Sequence, residues 1–229
     1  MSFYTGVVGE QEGRRASRHG VFAMSVDYRL SGEAPFPAAL QDAKCAIRWI
    51  RSKADELNID PERIVISGGS AGAHLSSMIL TTAGIPEYEG EGGNENFSSN
   101  ANLGVFFCGV FDMWDMLSKG SAVSQMEQFM DGKPEEIPGR YTELSSVYRI
   151  HKYIPPVLLL HGLADEAVSH DQSIAFYNRV NAVGGYAEIT LYDEMPHGWF
   201  NREPTRTITL ERMERFIVEQ FNLSPVEEW

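Results

Sequence analysis

A short glycine-rich segment in the first third of the chain has the residues that a nucleophilic serine needs. The run at 68–72 (GGSAG) fits the pattern GxSxG, with an apolar, β-branched run at 63–67 before it and a helical pattern at 71–82 after it. A strand, a tight turn and a helix in this order form a nucleophile elbow, which raises the serine hydroxyl above the carboxyl edge of a sheet. Because that turn crowds the backbone, it requires small residues beside Ser70. The context favours a nucleophile over a structural turn.

A serine hydroxyl is a weak nucleophile, so the chain must also supply a base and an acid that orients the base. In sheets that carry this elbow, the acid and then the histidine follow the serine along the chain. Asp165 lies just past an apolar run at 156–161, and His197 lies just past another run at 187–192. Because both loops lie at the edge that carries the elbow, we expect Ser70, Asp165 and His197 to converge.

The other candidates for the base and the acid fit less well. Asp193 and Glu194 adjoin His197 itself, so they compete only weakly with Asp165 as its partner. The expected positions of the other histidines are the surface for His19 and His151, a turn for His170, and packed or locally hydrogen-bonded sites for His74 and His161.

The elements that must position these residues alternate along the chain between strand and helix. This alternation predicts an α/β fold, a mainly parallel sheet with helices on both faces, within one domain over 1–229. The predicted strands are 21–28, 63–67, 103–110, 156–161 and 187–192. The predicted helices are 37–57, 71–82, 171–183 and 206–221.

Two stretches interrupt the alternation. The acidic, glycine-rich stretch at 86–100 is predicted to be a solvated loop, because its carboxylates lack the spacing of a calcium loop. The stretch at 111–153 is too long for an ordinary connection between two strands. We expect it to be a small helical insertion that forms a cap over the site, with a purely structural helical excursion as the alternative.

Composition excludes several functions. The net charge of −13 disfavours binding to nucleic acid or to an anionic membrane surface. The two cysteines, Cys45 and Cys108, cannot form a disulfide framework or a zinc site between them, and both are expected to be buried thiols. We expect no cofactor and no metal. Because no signal peptide or membrane-length apolar run is visible, a cytoplasmic location is predicted, with export left open.

Four segments together resemble the α/β-hydrolase superfamily, and more narrowly the bacterial acetyl-xylan and feruloyl esterases with their carboxylesterase relatives. They are SVDYRLSGEAPFPAALQDAKCAIRWIR, IDPERIVISGGSAGAHLSSM, PPVLLLHGLADEAV and MPHGWF. The resemblance implies a triad of Ser70, Asp165 and His197, with the backbone N–H of Ala71 as one oxyanion donor. It implies hydrolysis of short acyl or aryl esters of plant carbohydrates through an acyl-enzyme.

One departure from that family concerns the start of the chain. Members carry an upstream strand and an HGGG-type loop that supplies the second oxyanion donor, and this sequence has neither. The opening residues 3–6 (FYTG) resemble the stretch that directly follows such a loop. We therefore expect a truncated N-terminus, a gap in the sheet between the strands at 21–28 and 63–67, marginal stability and association with other chains.

Two alternatives to an esterase remain open from the sequence. The segment GGSAGAHL also resembles arylformamidases, and the loops resemble prolyl-oligopeptidase-type peptidases, so an amide hydrolase is one alternative. An inactive, hydrolase-like fragment that only binds a ligand is the other. The acyl group, the sugar and the oligomeric state are not encoded in any motif that we recognise.

Overall fold

The computed structural model describes residues 22–223, and a four-stranded parallel sheet lies at its centre. The strands occur in chain order across the sheet, and every neighbouring pair is parallel. Their bounds are β1 (Val65–Gly69), β2 (Leu103–Phe107), β3 (Val157–Gly162) and β4 (Ala187–Tyr192). Because all four strands run the same way, their carboxyl ends meet at one edge of the sheet.

Helices connect these strands and cover the sheet. Before and after β1 lie α1 (Ala38–Ser52), α2 (Ala54–Leu57) and α3 (Ala71–Thr81). Between β2 and β3 lie α4 (Met113–Ser118), α5 (Val123–Met130) and α6 (Pro138–Glu143). The remaining helices are α7 (Asp171–Ala182) and α8 (Thr205–Phe221), with short 3₁₀ turns at Pro86–Tyr88, Ser146–Arg149 and Trp199–Asn201. No helix within 22–223 is both long and apolar enough to cross a membrane.

The two central strands, β2 and β3, are mostly apolar because both faces of the sheet are covered there. Every residue of β2 and β3 is buried. Alternate side chains enter two separate cores: Phe106 belongs to one that includes residues of α1, α3 and α7, whereas Val105 belongs to one that includes Phe216 of α8. This is the layered α/β fold that the alternation of patterns predicts, and the predicted fold class is confirmed.

The strand predicted at 21–28 is wrong for the residues that the structure describes. Residues 22–28 form no strand, and Val21 lies outside the described range. A strand requires ladder hydrogen bonds to a neighbour, and within 22–223 the only strand beside β1 is β2. The apolar run therefore has strand composition but no described partner strand. The expected features of residues 3–6 also lie outside the described residues.

The insertion at 111–153 is helical, as predicted, and it packs against α3. Its connections to that helix are polar as well as apolar. The ring of His74 bonds the Leu144 carbonyl at 2.9 Å, and Ser77 Oγ donates to Ser146 Oγ at 2.7 Å. These contacts attach the insertion to the helix that follows the serine, and whether it also acts as a cap stays a prediction.

The acidic stretch at 86–100 is a loop with one 3₁₀ turn, but the carboxylate of Glu89 is paired and only 28% exposed, not freely solvated as expected. Glu89 accepts hydrogen bonds from Lys44 at 2.8 Å, Arg48 at 3.1 Å and Ser99 at 2.9 Å. The side chains of Lys44 and Arg48 are buried, at 0% and 2% exposure. Buried cations need a partner, so the loop folds back to supply one, which a loop composition alone does not reveal.

We predict that Glu89→Ala destabilises the chain by about 3 kcal/mol, because it leaves two buried cations without their carboxylate. The measurement is the free energy of unfolding from urea denaturation. The control is Glu87→Ala, since Glu87 is exposed in the same loop. Equal stability of the two variants would contradict the assigned role of Glu89.

Candidate active site

Ser70 lies at the turn between β1 and α3 in a conformation that few residues adopt. Its φ is 56° and its ψ is −120°, a strained region for a residue with a side chain. Two close contacts explain the glycines beside it: a Cβ on Gly68 would overlap the backbone of Gly72, and a Cβ on Gly69 would overlap the ring of Phe200. The predicted elbow is therefore present, and the strain it holds is local to the serine.

The structure brings together the three side chains that the sequence predicts to converge. His197 Nε2 lies 3.0 Å from Ser70 Oγ, and His197 Nδ1 lies 2.7 Å from Asp165 Oδ2. A carboxylate can only accept, so Nδ1–H donates to Asp165 and leaves Nε2 to accept from the serine hydroxyl. This is the tautomer that a general base toward Ser70 requires.

Asp165 is held by its own loop and by burial. Its side chain has 0% exposure, and its Oδ1 accepts from the backbone N–H groups of Ala167 at 3.0 Å and Val168 at 2.9 Å. Burial acts to raise the pKa of Asp165, but hydrogen bonds from His161 and His197 outweigh it, so the pKa lies well below its ordinary value. Asp165 is consequently a carboxylate at any pH near neutrality.

His161, at the end of β3, also supports the acid. Its Nε2 lies 3.0 Å from the Val168 carbonyl and 3.3 Å from Asp165 Oδ2, while its Nδ1 lies 2.8 Å from Ser173 Oγ. The carbonyl accepts only, so Nε2 carries the proton and Nδ1 accepts from the serine. The geometry agrees with the predicted local hydrogen bonding of His161. The sequence did not predict that His161 also contacts the carboxylate of Asp165.

His197 has a second neighbour that sequence reasoning missed. The hydrogen bond to Asp165 is the main cause of the raised pKa of His197. The side chain of Cys108 raises this pKa further, whereas desolvation acts to lower it. The sequence predicts that Cys108 is buried within a strand. Cys108 is indeed fully buried, but it lies just after the strand, because β2 ends at Phe107. Its φ of 41° turns the chain at the strand end. The only sequence feature that could have indicated this contact is the position of Cys108 near the carboxyl end of a predicted strand.

Of the competing histidines, His74 and His151 occupy the kinds of position that the sequence predicts for them. His74 is buried against the Leu144 carbonyl, and burial lowers the pKa of His74 to about 4 despite that bond. It is therefore neutral and packed. The exposed ring of His151 accepts from its own loop at Tyr153, whereas His19 lies outside the described residues.

Ala71 is the first residue of α3, which suits it to donate to an oxyanion. The first N–H groups of a helix have no partner within the helix, and they lie at the positive end of its dipole. Because Ala71 directly follows Ser70, its N–H lies beside the predicted nucleophile. The segment expected to relate to the second donor, at 3–6, lies outside the described residues.

The parallel sheet, the elbow and the Ser–His–Asp arrangement at one edge are those of an α/β-hydrolase. The family model described as BD-FAE matches residues 7–180, which is more than half of the chain. The chain belongs to the BD-FAE family. Ser70 and Asp165 lie within the matched residues, and His197 lies beyond them.

Relatives and solved structures of similar fold carry esterase names. Esterase LipC of Mycobacterium tuberculosis is 30% identical over 183 residues, which cover 76% of this chain and 45% of LipC. A truncated form of a carbohydrate esterase from gut microbiota is 29% identical, with a TM-score of 0.78 over 86% of this chain and 73% of that one. The chain spans less than half the length of the mycobacterial relatives it matches.

A third similar structure is that of a thermophilic esterase from the planctomycete Thermogutta terrifontis, solved with propionate bound. It is 30% identical, with a TM-score of 0.76 over 94% of this chain and 78% of that one. The same esterase has also been solved phosphorylated by paraoxon.

We predict that the imidazole of His197 titrates above its ordinary pKa of about 6.5, because the Asp165 carboxylate stabilises the protonated ring. NMR titration of histidine-labelled protein measures this directly. In Asp165→Asn the pKa of His197 should fall, since the amide carries no charge. An unchanged His197 titration in that variant would contradict the pairing. Because only the neutral imidazole can act as a base, we expect activity to fall as the pH falls through this raised pKa of His197.

Proposed function

We propose that this protein is a serine carboxylic ester hydrolase that works through an acyl-enzyme at Ser70. The observation that carries the proposal is the unbroken chain of hydrogen bonds from Asp165 through His197 to Ser70, with distances of 2.7 Å and 3.0 Å. A nucleophile bonded to a base, with the base oriented by an acid, is the arrangement that activates a hydroxyl. The esterase names of its relatives support the same reaction class.

In the acylation step, Ser70 Oγ attacks the ester carbonyl carbon while His197 Nε2 takes the hydroxyl proton. The carbonyl oxygen becomes an oxyanion, which the N–H of Ala71 stabilises. Asp165 stays ionised and stabilises the imidazolium that forms. When the tetrahedral intermediate collapses, the bond to the alcohol oxygen breaks and His197 returns the proton to that oxygen. The alcohol leaves, and the acyl group remains on Ser70.

Deacylation repeats these proton movements with water. His197 Nε2 takes a proton from a water molecule, whose oxygen attacks the acyl carbon. On collapse, the bond to Ser70 Oγ breaks and His197 gives the proton back to that oxygen. The products are the free acid and the resting serine, so one water is consumed for each ester.

The substrate class that we propose is short acyl or aryl esters of plant carbohydrates, small molecules or oligosaccharides. Its support is the acetyl-xylan and feruloyl resemblance of the sequence motifs, together with the likeness to a carbohydrate esterase of gut microbiota. A panel of acetyl, feruloyl and formyl-anilide substrates tests it against an amide hydrolase. Faster turnover of the formyl anilide than of both esters would require a different assignment.

We predict that Ser70→Ala lowers kcat by on the order of 10⁵ to 10⁶, because the nucleophile is lost. Hydrolysis of p-nitrophenyl acetate measures the change. The control is Ser124→Ala, an exposed serine of α5 whose hydroxyl contacts Gln125, and it should retain full activity. Retention of more than about a tenth of kcat in Ser70→Ala would exclude this serine as the nucleophile.

We predict that Asp165→Asn preserves the fold but lowers kcat by roughly 10⁴, because the amide permits the wrong imidazole tautomer. Asp193→Asn is the matched control, since Asp193 is exposed in the loop that carries His197. Circular dichroism and ester turnover are measured for both variants. If Asp193→Asn were the damaging change and Asp165→Asn were benign, the acid would be reassigned.

A further inference from the structure

Three side chains of the ligand types that zinc prefers lie together at the carboxyl edge of the sheet. Cys108, Asp165 and His197 each place one donor atom within 4.8 Å of the other two. Taken as whole residues, Cys108 is 0% exposed and Asp165 is 8% exposed. The number of cysteines alone predicts no zinc site, and no local pattern in the sequence places Cys108 beside the histidine and the aspartate.

We propose that Cys108, Asp165 and His197 form a binding site for a thiophilic divalent cation, of which zinc is the type, and that its occupation switches off Ser70. Sulfur, imidazole nitrogen and carboxylate oxygen together form a donor set that zinc takes, and three protein ligands plus one water complete its tetrahedron. Hard cations such as magnesium prefer oxygen ligands and a stricter octahedron. The donor set therefore selects zinc over magnesium.

The distances allow this coordination with small movements. With bonds of about 2.3 Å to sulfur and about 2.1 Å to nitrogen, donors around a tetrahedral zinc lie roughly 3.5 Å apart. The separations here are at most 4.8 Å, so the most distant donors must approach each other by about 1.3 Å at most. If Nδ1 of His197 and Oδ2 of Asp165 are the ligands, these two atoms, now 2.7 Å apart, must instead separate by about 1 Å. The side chain of His197 is 31% exposed, so the ion reaches the site past this ring. The net charge of −13 favours the approach of cations.

Occupation removes the base whichever ring nitrogen binds the ion. If Nε2 binds, its lone pair no longer faces Ser70 Oγ. If Nδ1 binds, the single imidazole proton moves to Nε2, which then donates to Ser70 instead of accepting from it. The Cys108 thiol loses its proton to solvent as the sulfur–zinc bond forms. No bond to Ser70 changes, so removal of the ion restores the resting site.

The test measures binding directly and therefore does not depend on the proposed esterase activity. Cobalt(II) is titrated into the intact chain, and a thiolate-to-cobalt charge-transfer absorption is expected in the wild type. Zinc should displace the cobalt and remove that absorption. Isothermal titration calorimetry then compares zinc affinity between wild type and Cys108→Ser, where we expect a loss of on the order of 100-fold or more. Melting temperatures verify that both proteins are folded.

Cys45→Ser is the matched control, because Cys45 lies on α1 and its sulfur contacts the Gly92 carbonyl instead. This variant should bind zinc as the wild type does. In parallel, zinc should inhibit ester turnover, a chelator should restore it, and magnesium should have no effect. Absence of the charge-transfer absorption in the wild type, or equal zinc affinity in Cys108→Ser, would overturn the proposal. Zinc binding without ester turnover would instead contradict only the proposed function.

Discussion

The arrangement at the edge of the sheet depends on one buried carboxylate. Asp165 is removed from water, which by itself opposes ionisation, yet four donors surround it and its pKa lies below the ordinary value. Two of these donors are backbone N–H groups of its own loop, and the others are the imidazoles of His161 and His197. Because the charge is fixed and its oxygens are directed, the ring of His197 has one favourable orientation, in which Nε2 faces Ser70. Each donor that is lost would leave part of a buried charge uncompensated.

Parallel pairing is what makes this convergence possible over long separations in sequence. Ser70 follows β1, Cys108 follows β2, Asp165 follows β3 and His197 follows β4, and each connection returns through a helix so that the next strand starts at the same side. The sequence predicts this part of the structure well, because buried parallel strands are continuous apolar runs and the elbow has its own glycine pattern. The predicted order of serine, acid and histidine therefore translates directly into positions at one edge.

The features that the sequence did not predict depend on contacts between distant segments. The run at 22–28 has strand composition but forms no strand, since a strand is defined by its partner. Glu89 lies in a segment whose composition predicts a solvated loop. Its carboxylate instead forms ion pairs with the buried side chains of Lys44 and Arg48. The position of Cys108 beside His197 depends on the register of β2 against β3 and of β3 against β4. For Glu89 and Cys108 the deciding groups lie more than ten residues away in the chain and carry no local pattern.

The hydrogen bonds from Asp165 through His197 are proposed to make Ser70 an activated nucleophile. The most direct measurement is mass spectrometry of the intact chain after treatment with paraoxon, followed by peptide mapping, with His197→Ala treated in parallel. We expect a single phosphoryl adduct, located at Ser70, and almost no adduct in the histidine variant because the serine then lacks its base. An adduct at another residue, or equal labelling of Ser70 with and without His197, would contradict the claim.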